Sequence, residues 1–489
     1  MNEDRKLVML NVVSAGAQVV VVGAVYFFLY RFLVKTLGVE LLGVWSVVMA
    51  TSSIVNLANF GVSTAVTRFI SLYTREGKQD RINKLIFTCA GFIFLFFGVI
   101  SLATLLFGRY LLSFVIDKDY IERAVAVLPY SILCLIINAV AGVYLSAIDG
   151  LQKNYIRSLI FTVGAFLFLL LTLILMKGRG LEGVVISQVY QSLFVLIASL
   201  VAVRVYTGYN LLKWQWSNSI FKEIFSYGFK FQVISLAALF NEPVTKMLLA
   251  KFGGLQLSGY YEMASRLLMQ LRGIVVNANQ SLLPVLSRRE TDSSEDVNPI
   301  YKTSIIIIVI VALYIMGAPV VLNGFISLVW IGAPVAAFNQ IMTLLAVSVF
   351  VNLLSTPAYF GCLAQGKLRS VILAQCLIAV INFLVGIFLG KFFGGYGVIS
   401  SWLLASVVGS LFLLFKYQND NKVKLRRDVY VFTCCLITVT VVASVIKPSA
   451  VGVSRITLYY KSALAILAYS IVYGTVCWFF FKRNIFRHG

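Results

Sequence analysis

Fourteen apolar runs of membrane-spanning length dominate the sequence, at approximately 10 to 34, 41 to 67, 85 to 107, 124 to 148, 158 to 176, 183 to 206, 226 to 250, 256 to 284, 303 to 330, 339 to 361, 371 to 390, 397 to 416, 430 to 447 and 461 to 481. A hydrocarbon layer about 30 Å thick takes about 20 residues of helix to cross. No water is present there to hydrogen-bond an open peptide group, so each run has to satisfy its own backbone as a helix. The chain reads as an all-α polytopic membrane protein. Its 489 residues are only 12% charged, about half of what a soluble domain carries.

An even number of spans puts both termini on one side of the membrane. Counting each Lys and Arg with its nearer loop, the termini and the loops on their side hold 26 of the 41, the opposite loops 12, and the spans 3. The termini are therefore expected in the cytoplasm. Arg68 to Lys84, Arg288 to Lys302 and Lys416 to Arg427 contribute most. The net charge of +22 is scattered through these short loops rather than gathered on one basic segment, which argues for membrane orientation and against nucleic acid. Met1 to Lys6 is charged and leads into a run too long for a signal-peptide core, so the first run reads as a retained span. The longest loops, roughly 20 residues, cannot build a globular domain, which confines function to the membrane.

Several chemistries are excluded. The only histidine is His488, and the seven cysteines (89, 134, 362, 376, 434, 435 and 477) lie in or beside apolar runs without metal-ligand spacing. They read as small buried hydrophobes, and neither metal nor cofactor is expected. Gly361 to Lys367 has phosphate-loop spacing, but Leu368 stands where a magnesium-binding hydroxyl belongs, which argues against ATP hydrolysis. A membrane-embedded polymerase or ligase needs a catalytic constellation exposed to water. The outer side offers little beyond Glu40, Asp117, Asp119, Glu122 and Glu182, so the chain does not read as an enzyme. Gly386, Gly390 and Gly394 have the spacing of a close helix contact.

The chain also repeats itself. Leu33 to Trp45 resembles Leu249 to Tyr261, pairing Lys35 with Lys251, Gly38 with Gly254 and Gly43 with Gly259 at an offset of 216. Arg157-Ser158 matches Arg369-Ser370 at 212, and Gly180 to Ile186 resembles Gly394 to Ser400 near 214. Spans 1 to 6 are thus equated with spans 7 to 12. The expected organisation is a six-helix bundle over 1–206, a cytoplasmic linker over 207–225, a second bundle over 226–416 and two appended helices over 417–489. Six is even, so the halves form a parallel repeat, an arrangement that commonly places a substrate site between moving halves.

The stretch Asn241 to Pro284 opens the second half and carries Glu242, Lys246, Glu262, Arg266 and Arg272 among apolar residues. Each ionised side chain near a bilayer centre costs about 2.5 to 3.5 kcal/mol on insertion scales, so charge retained there faces protein or a wet cavity. Glu262, Arg266, Gln270, Gly273, Asn277, Gln280 and Pro284 follow at steps of three or four, along one stripe of a helix. Glu242 and Lys246 repeat that step one helix earlier, with Pro243 between them as an expected kink. Two readings stay open for these pairs: cavity-lining charge, or self-satisfied ion pairs four residues apart. Arg272 has no opposite charge three or four residues away. The first half offers Arg31, Lys35, Asn56, Asn59 and Arg68 at the corresponding place, where headgroup contact is an equal account of Arg31 and Lys35.

The paired segments Leu33 to Trp45 and Leu249 to Tyr261, the run Tyr260-Tyr-Glu-Met-Ala-Ser-Arg266 continuing to Leu283-Pro284, and Gly150-Leu-Gln-Lys153 resemble the polysaccharide biosynthesis flippases. These are the O-antigen and repeat-unit translocases of the multidrug/oligosaccharidyl-lipid/polysaccharide exporter superfamily. The resemblance implies two six-helix bundles in a V around a cationic cavity. It further implies transport of an undecaprenyl-pyrophosphate-linked sugar unit across the bacterial inner membrane, exchange against protons or sodium, polymerase machinery as a partner, and a monomer. On that expectation Arg266, Arg272 and Lys246 hold pyrophosphate, because their donors complement its oxygens. Gln270, Asn277 and Gln280 face the sugar, Arg31, Lys35, Asn56, Asn59, Arg68 and Tyr260 are further candidates for the cavity, with a cytoplasmic anchor as the alternative for Arg68, and Glu242 or Glu262 takes up the coupling ion. A multidrug exporter or a lipid II exporter of the same superfamily is the alternative.

Overall fold

Glycines mark the places where paired membrane spans turn into one another. The computed structural model describes the backbone of residues 2–58, 60–210, 215–224, 241–280, 298–365, 367–423, 427–446 and 455–485. Among the described residues the regular elements are fourteen helices: α1 (Asn2–Leu37), α2 (Val39–Ala58), α3 (Phe60–Arg75), α4 (Gln79–Ser113), α5 (Lys118–Gly150), α6 (Asn154–Thr207), α7 (Glu242–Gln280), α8 (Asn298–Val321), α9 (Asn323–Ile331), α10 (Ala336–Leu354), α11 (Thr356–Ala364), α12 (Leu368–Asp420), α13 (Arg427–Ile446) and α14 (Arg455–Ile485). Eight helical segments among them have the length and hydropathy to cross a membrane. The architecture is all-α and polytopic, two six-helix repeats followed by two C-terminal helices.

The 54 residues of α6 and the 53 of α12 would each run about 80 Å if straight, far beyond one bilayer. Each instead turns at one glycine. Gly180 in α6 has φ 53° and ψ −127°, and Gly394 in α12 has φ 60° and ψ −145°, backbone that a Cβ would strain. After each turn the chain runs back onto itself. A Cβ on Gly183 would stand 2.6 Å from the Leu175 carbonyl oxygen, and one on Gly397 would stand 2.2 Å from that of Leu389. A continuous helix would hold such residues about 12 Å apart. Gly38 (φ 81°), between α1 and α2, and Gly254 (φ 78°), within α7, are the other such pair. The offsets, 394 − 180 = 214 and 254 − 38 = 216, are those of the sequence repeat. Gly394 is thus a turn rather than the third glycine of a helix contact.

Packing divides the chain into two units, Met1–Gly259 and Tyr260–Gly489, with the division falling inside α7. In the first unit, Val66 and Ile70 of α3, Leu85, Ile86 and Phe97 of α4, and Ala139, Val143 and Ile148 of α5 form one core. Residues 215–224 join it, burying Ile220 and Ile224. The Ser217 amide donates to Thr88 Oγ1 at 3.1 Å and Tyr73 Oη donates to Glu223 Oε2 at 3.2 Å. The described part of the expected linker is therefore fastened to the first unit. Leu102, Leu105, Leu106 and Phe107 of α4 point outward and exposed, as lipid-facing residues do.

In the second unit the two appended helices pack on α8. Tyr314 stacks on Tyr469 with ring centroids 5.5 Å apart, Tyr473 Oη donates to the Ile310 carbonyl at 2.7 Å, and Tyr314 shares a 2.8 Å hydrogen bond with Ser470. Pro243 occupies the first turn of α7, where its missing N–H costs no helical bond. Span 10 is interrupted at Ser355, just before Pro357, into α10 and α11. Of the cysteines, 89, 134 and 362 are buried as expected, whereas Cys434 and Cys435 face outward from α13.

Candidate functional site

Both charged pairs of α7 form along the helix. In the first unit, Lys246 Nζ lies 2.8 Å from Glu242 Oε1, with the lysine side chain 6% exposed and the glutamate 44%. In the second, Arg266 Nη2 lies 3.4 Å from Glu262 Oε1, and the exposures reverse: 41% for the arginine and 4% for the glutamate. One pair therefore offers its carboxylate outward, and the other offers its cation. Each pair forms because a helix sets residues four apart side by side.

Arg272, half-buried two turns further on, is treated differently. Its Nε and Nη2 donate to Asn352 Oδ1 at 3.3 and 3.1 Å. Asn352 Nδ2 donates in turn to Ser410 Oγ at 3.3 Å. Among the described residues no carboxylate pairs with Arg272, so its charge is oriented but not cancelled. Beside it, a Cβ on Gly273 would meet nothing within 4 Å, which leaves open space on that side of the helix. Gln270, one turn earlier on the same stripe, is half-buried.

The other expected residues are placed as follows within their own units. Tyr260 is 5% exposed and packs edge-on against Phe338 at 6.2 Å, in the interior of the second unit. Arg31 and Lys35 are exposed, Lys35 in the last turn of α1. Arg68 is exposed too, with its guanidinium 5.9 Å from the Phe69 ring centroid. The side chains of Asn56, Asn277 and Gln280, and all of Asn59, lie outside the described residues.

Asn352 and Ser410 are additions from the structure. A signal for the first was present: Asn352, Ser355 and Thr356 precede Pro357 within an apolar run, and polar residues beside a helix-breaking proline mark interrupted spans. Ser355 Oγ donates to the Asn352 carbonyl at 2.8 Å and caps the end of α10 there.

Comparison with known proteins agrees with this architecture. The chain is similar in fold to the lipid II flippase MurJ in its inward closed conformation, with a TM-score of 0.75 and 13% identity over 98% of this chain and 100% of that one. An inward-facing multidrug resistance transporter of the MATE family and MOP superfamily matches with a TM-score of 0.71 and 13% identity, covering 82% of this chain and 94% of its own. The MATE transporter VcmN of Vibrio cholerae matches with a TM-score of 0.63 and 14% identity, covering 86% and 98%. No curated relative matches the sequence. The model of one family, described as polysaccharide biosynthesis protein, matches residues 11–290, more than half of the chain. The chain is a member of the polysaccharide biosynthesis protein family.

Proposed function

We propose that the protein is a flippase, which carries an undecaprenyl-pyrophosphate-linked oligosaccharide repeat unit across the bacterial cytoplasmic membrane by alternating access. Arg272 is the observation that carries this reading. An arginine that costs about 2.5 to 3.5 kcal/mol to hold at membrane depth is held by a neutral amide, and among the described residues no carboxylate pairs with it. Such a group suits an anionic cargo, since a guanidinium fork complements phosphate oxygens and offsets their charge. Family membership supports a glycan-bearing cargo, and the fold shared with a lipid II flippase and with MATE transporters supports transport rather than catalysis.

On this reading Arg266 assists Arg272, Lys246 is a further cation for the cargo, Gln270, Asn277 and Gln280 meet the sugar, and Glu242 or Glu262 exchanges a proton or sodium ion. Both termini face the cytoplasm on this reading, and polymerase machinery is a partner. The deciding experiment reconstitutes the full chain in proteoliposomes carrying a lipid-pyrophosphate-linked oligosaccharide on one leaflet. Movement to the other leaflet, abolished by Arg272→Gln, is the expected result. Transport of cationic drugs with no movement of the lipid-linked sugar would overturn the reading in favour of a multidrug exporter.

A further inference from the structure

A guanidinium has five N–H donors in a rigid plane, presenting a side edge (Nε with Nη2) and an end edge (Nη1 with Nη2). In Arg272 the side edge is taken, since Nε and Nη2 both converge on Asn352 Oδ1. The end edge keeps an N–H on each of its two nitrogens. Because the acceptor is a neutral amide, the engagement turns the group without removing its charge.

Asn352 is itself held from behind. Its amide nitrogen donates to Ser410 Oγ, and Ser410 is 2% exposed on α12. The adjoining Gly409 packs so closely that a Cβ there would stand 2.2 Å from Ile378 and 3.0 Å from the Ala374 carbonyl oxygen, which fixes the stretch that carries Ser410. The Asn352 carbonyl also accepts from the Ser355 amide at 3.2 Å, so backbone and side chain are both restrained where α10 ends.

We propose that Asn352 is the positioning residue for Arg272: it clamps the side edge of the guanidinium and leaves the end edge for two oxygens of one phosphoryl group in the cargo. This rests on the flippase reading and specifies how its anion is met. An aspartate at 352 would have nearly the same shape but would cancel the charge. Charge-assisted hydrogen bonds are stronger than neutral ones, so Asn352→Asp should fold at least as well as the native chain while binding anions poorly. A residue that served structure alone would show no such separation.

The test uses the full chain in lipid nanodiscs, with inorganic pyrophosphate as probe at constant ionic strength, read as the shift in unfolding midpoint and as a titrated affinity. The native chain should bind and be stabilised, and Arg272→Gln should lose the response. Asn352→Asp should keep its midpoint without ligand and lose about tenfold or more in affinity, as expected for a hydrogen bond to a charged group. Asn352→Ala, which keeps the charge and frees the edge, should fall between, and it decides the matter if the aspartate variant does not fold. If the native chain and both Asn352 variants bind alike while Arg272→Gln does not bind, Asn352 has no positioning role and the flippase reading stands. If the native chain ignores pyrophosphate, or Arg272→Gln binds as it does, the anion reading fails and this inference fails with it.

Discussion

Gly43 approaches Leu255 so closely that a Cβ at position 43 would stand 2.1 Å from the Leu255 carbonyl oxygen. The reverse contact exists as well: a Cβ on Gly259 would stand 2.3 Å from the carbonyl oxygen of Val39. Since 259 − 43 and 255 − 39 are both 216, each partner of one contact is the repeat counterpart of a partner in the other. Residue i meets j while the copy of j meets the copy of i, the signature of like surfaces meeting about a two-fold axis. Sequence matching alone paired Gly43 with Gly259, and the structure gives the reason glycine is needed at both.

Gly43→Ala and Gly259→Ala are each expected to destabilise the protein. A backbone carbonyl cannot swing aside as a side chain can, so the cost should reach at least the roughly 1 to 3 kcal/mol typical of overpacking. Thermal unfolding in detergent measures it, with Gly23→Ala and Gly273→Ala as controls because a Cβ at either meets nothing within 4 Å. If Gly43→Ala melts with the controls, the contact is looser than described.

The turn glycines separate two kinds of left-handed backbone. Gly208, with φ 61° and ψ 20°, ends α6 in a conformation that asparagine tolerates. Gly394, at φ 60° and ψ −145°, does not, because that region is close to glycine-only. Gly208→Asn should therefore unfold within a few degrees of the native chain, whereas Gly394→Asn should lose about 1 to 3 kcal/mol of stability. Equal melting of the two variants would count against the turn geometry.

How much of this the sequence discloses depends on the range of each interaction. Spans are legible because apolar runs have only one way to satisfy their backbone in lipid, and the repeat because matched turns need matched glycines such as Gly180 and Gly394. The ion pairs are legible because four residues is one helical step. Arg272 shows as unpaired along its own helix, but its partner Asn352 lies 80 positions away on another helix and bears no charge to announce it. Tyr260 borders a charged stripe in sequence, and its packing edge-on against Phe338, 78 positions away, is likewise not legible from the sequence.

The seam between α8 and the appended helices gives a coupling prediction. A Cβ on Gly317 would stand 2.4 Å from Tyr469 Oη and 2.8 Å from the Thr440 methyl. Gly317→Ala should thus be destabilising, and Tyr469→Phe should cost about 1 kcal/mol by removing the hydroxyl that bonds Thr440. Together they should cost less than their sum, since phenylalanine removes the nearest of the clashing atoms. Residues in contact show such non-additivity by about 0.5 to 3 kcal/mol, and a double-mutant cycle on unfolding midpoints resolves it. Strict additivity would place the Tyr469 hydroxyl away from Gly317.

Glu242 is the carboxylate whose protonation has a direct structural consequence. Its partner Lys246 is buried, while Glu242 itself is 44% exposed and so reachable by protons. Protonating Glu242 removes the negative member of a 2.8 Å pair with Lys246. Glu242→Gln imitates the protonated state at every pH, so lipid-linked sugar flux in proteoliposomes should lose its response to a pH gradient while binding of the anionic cargo persists. Full pH-driven flux in that variant would remove Glu242 from the coupling mechanism and leave its pair with Lys246 as a structural one.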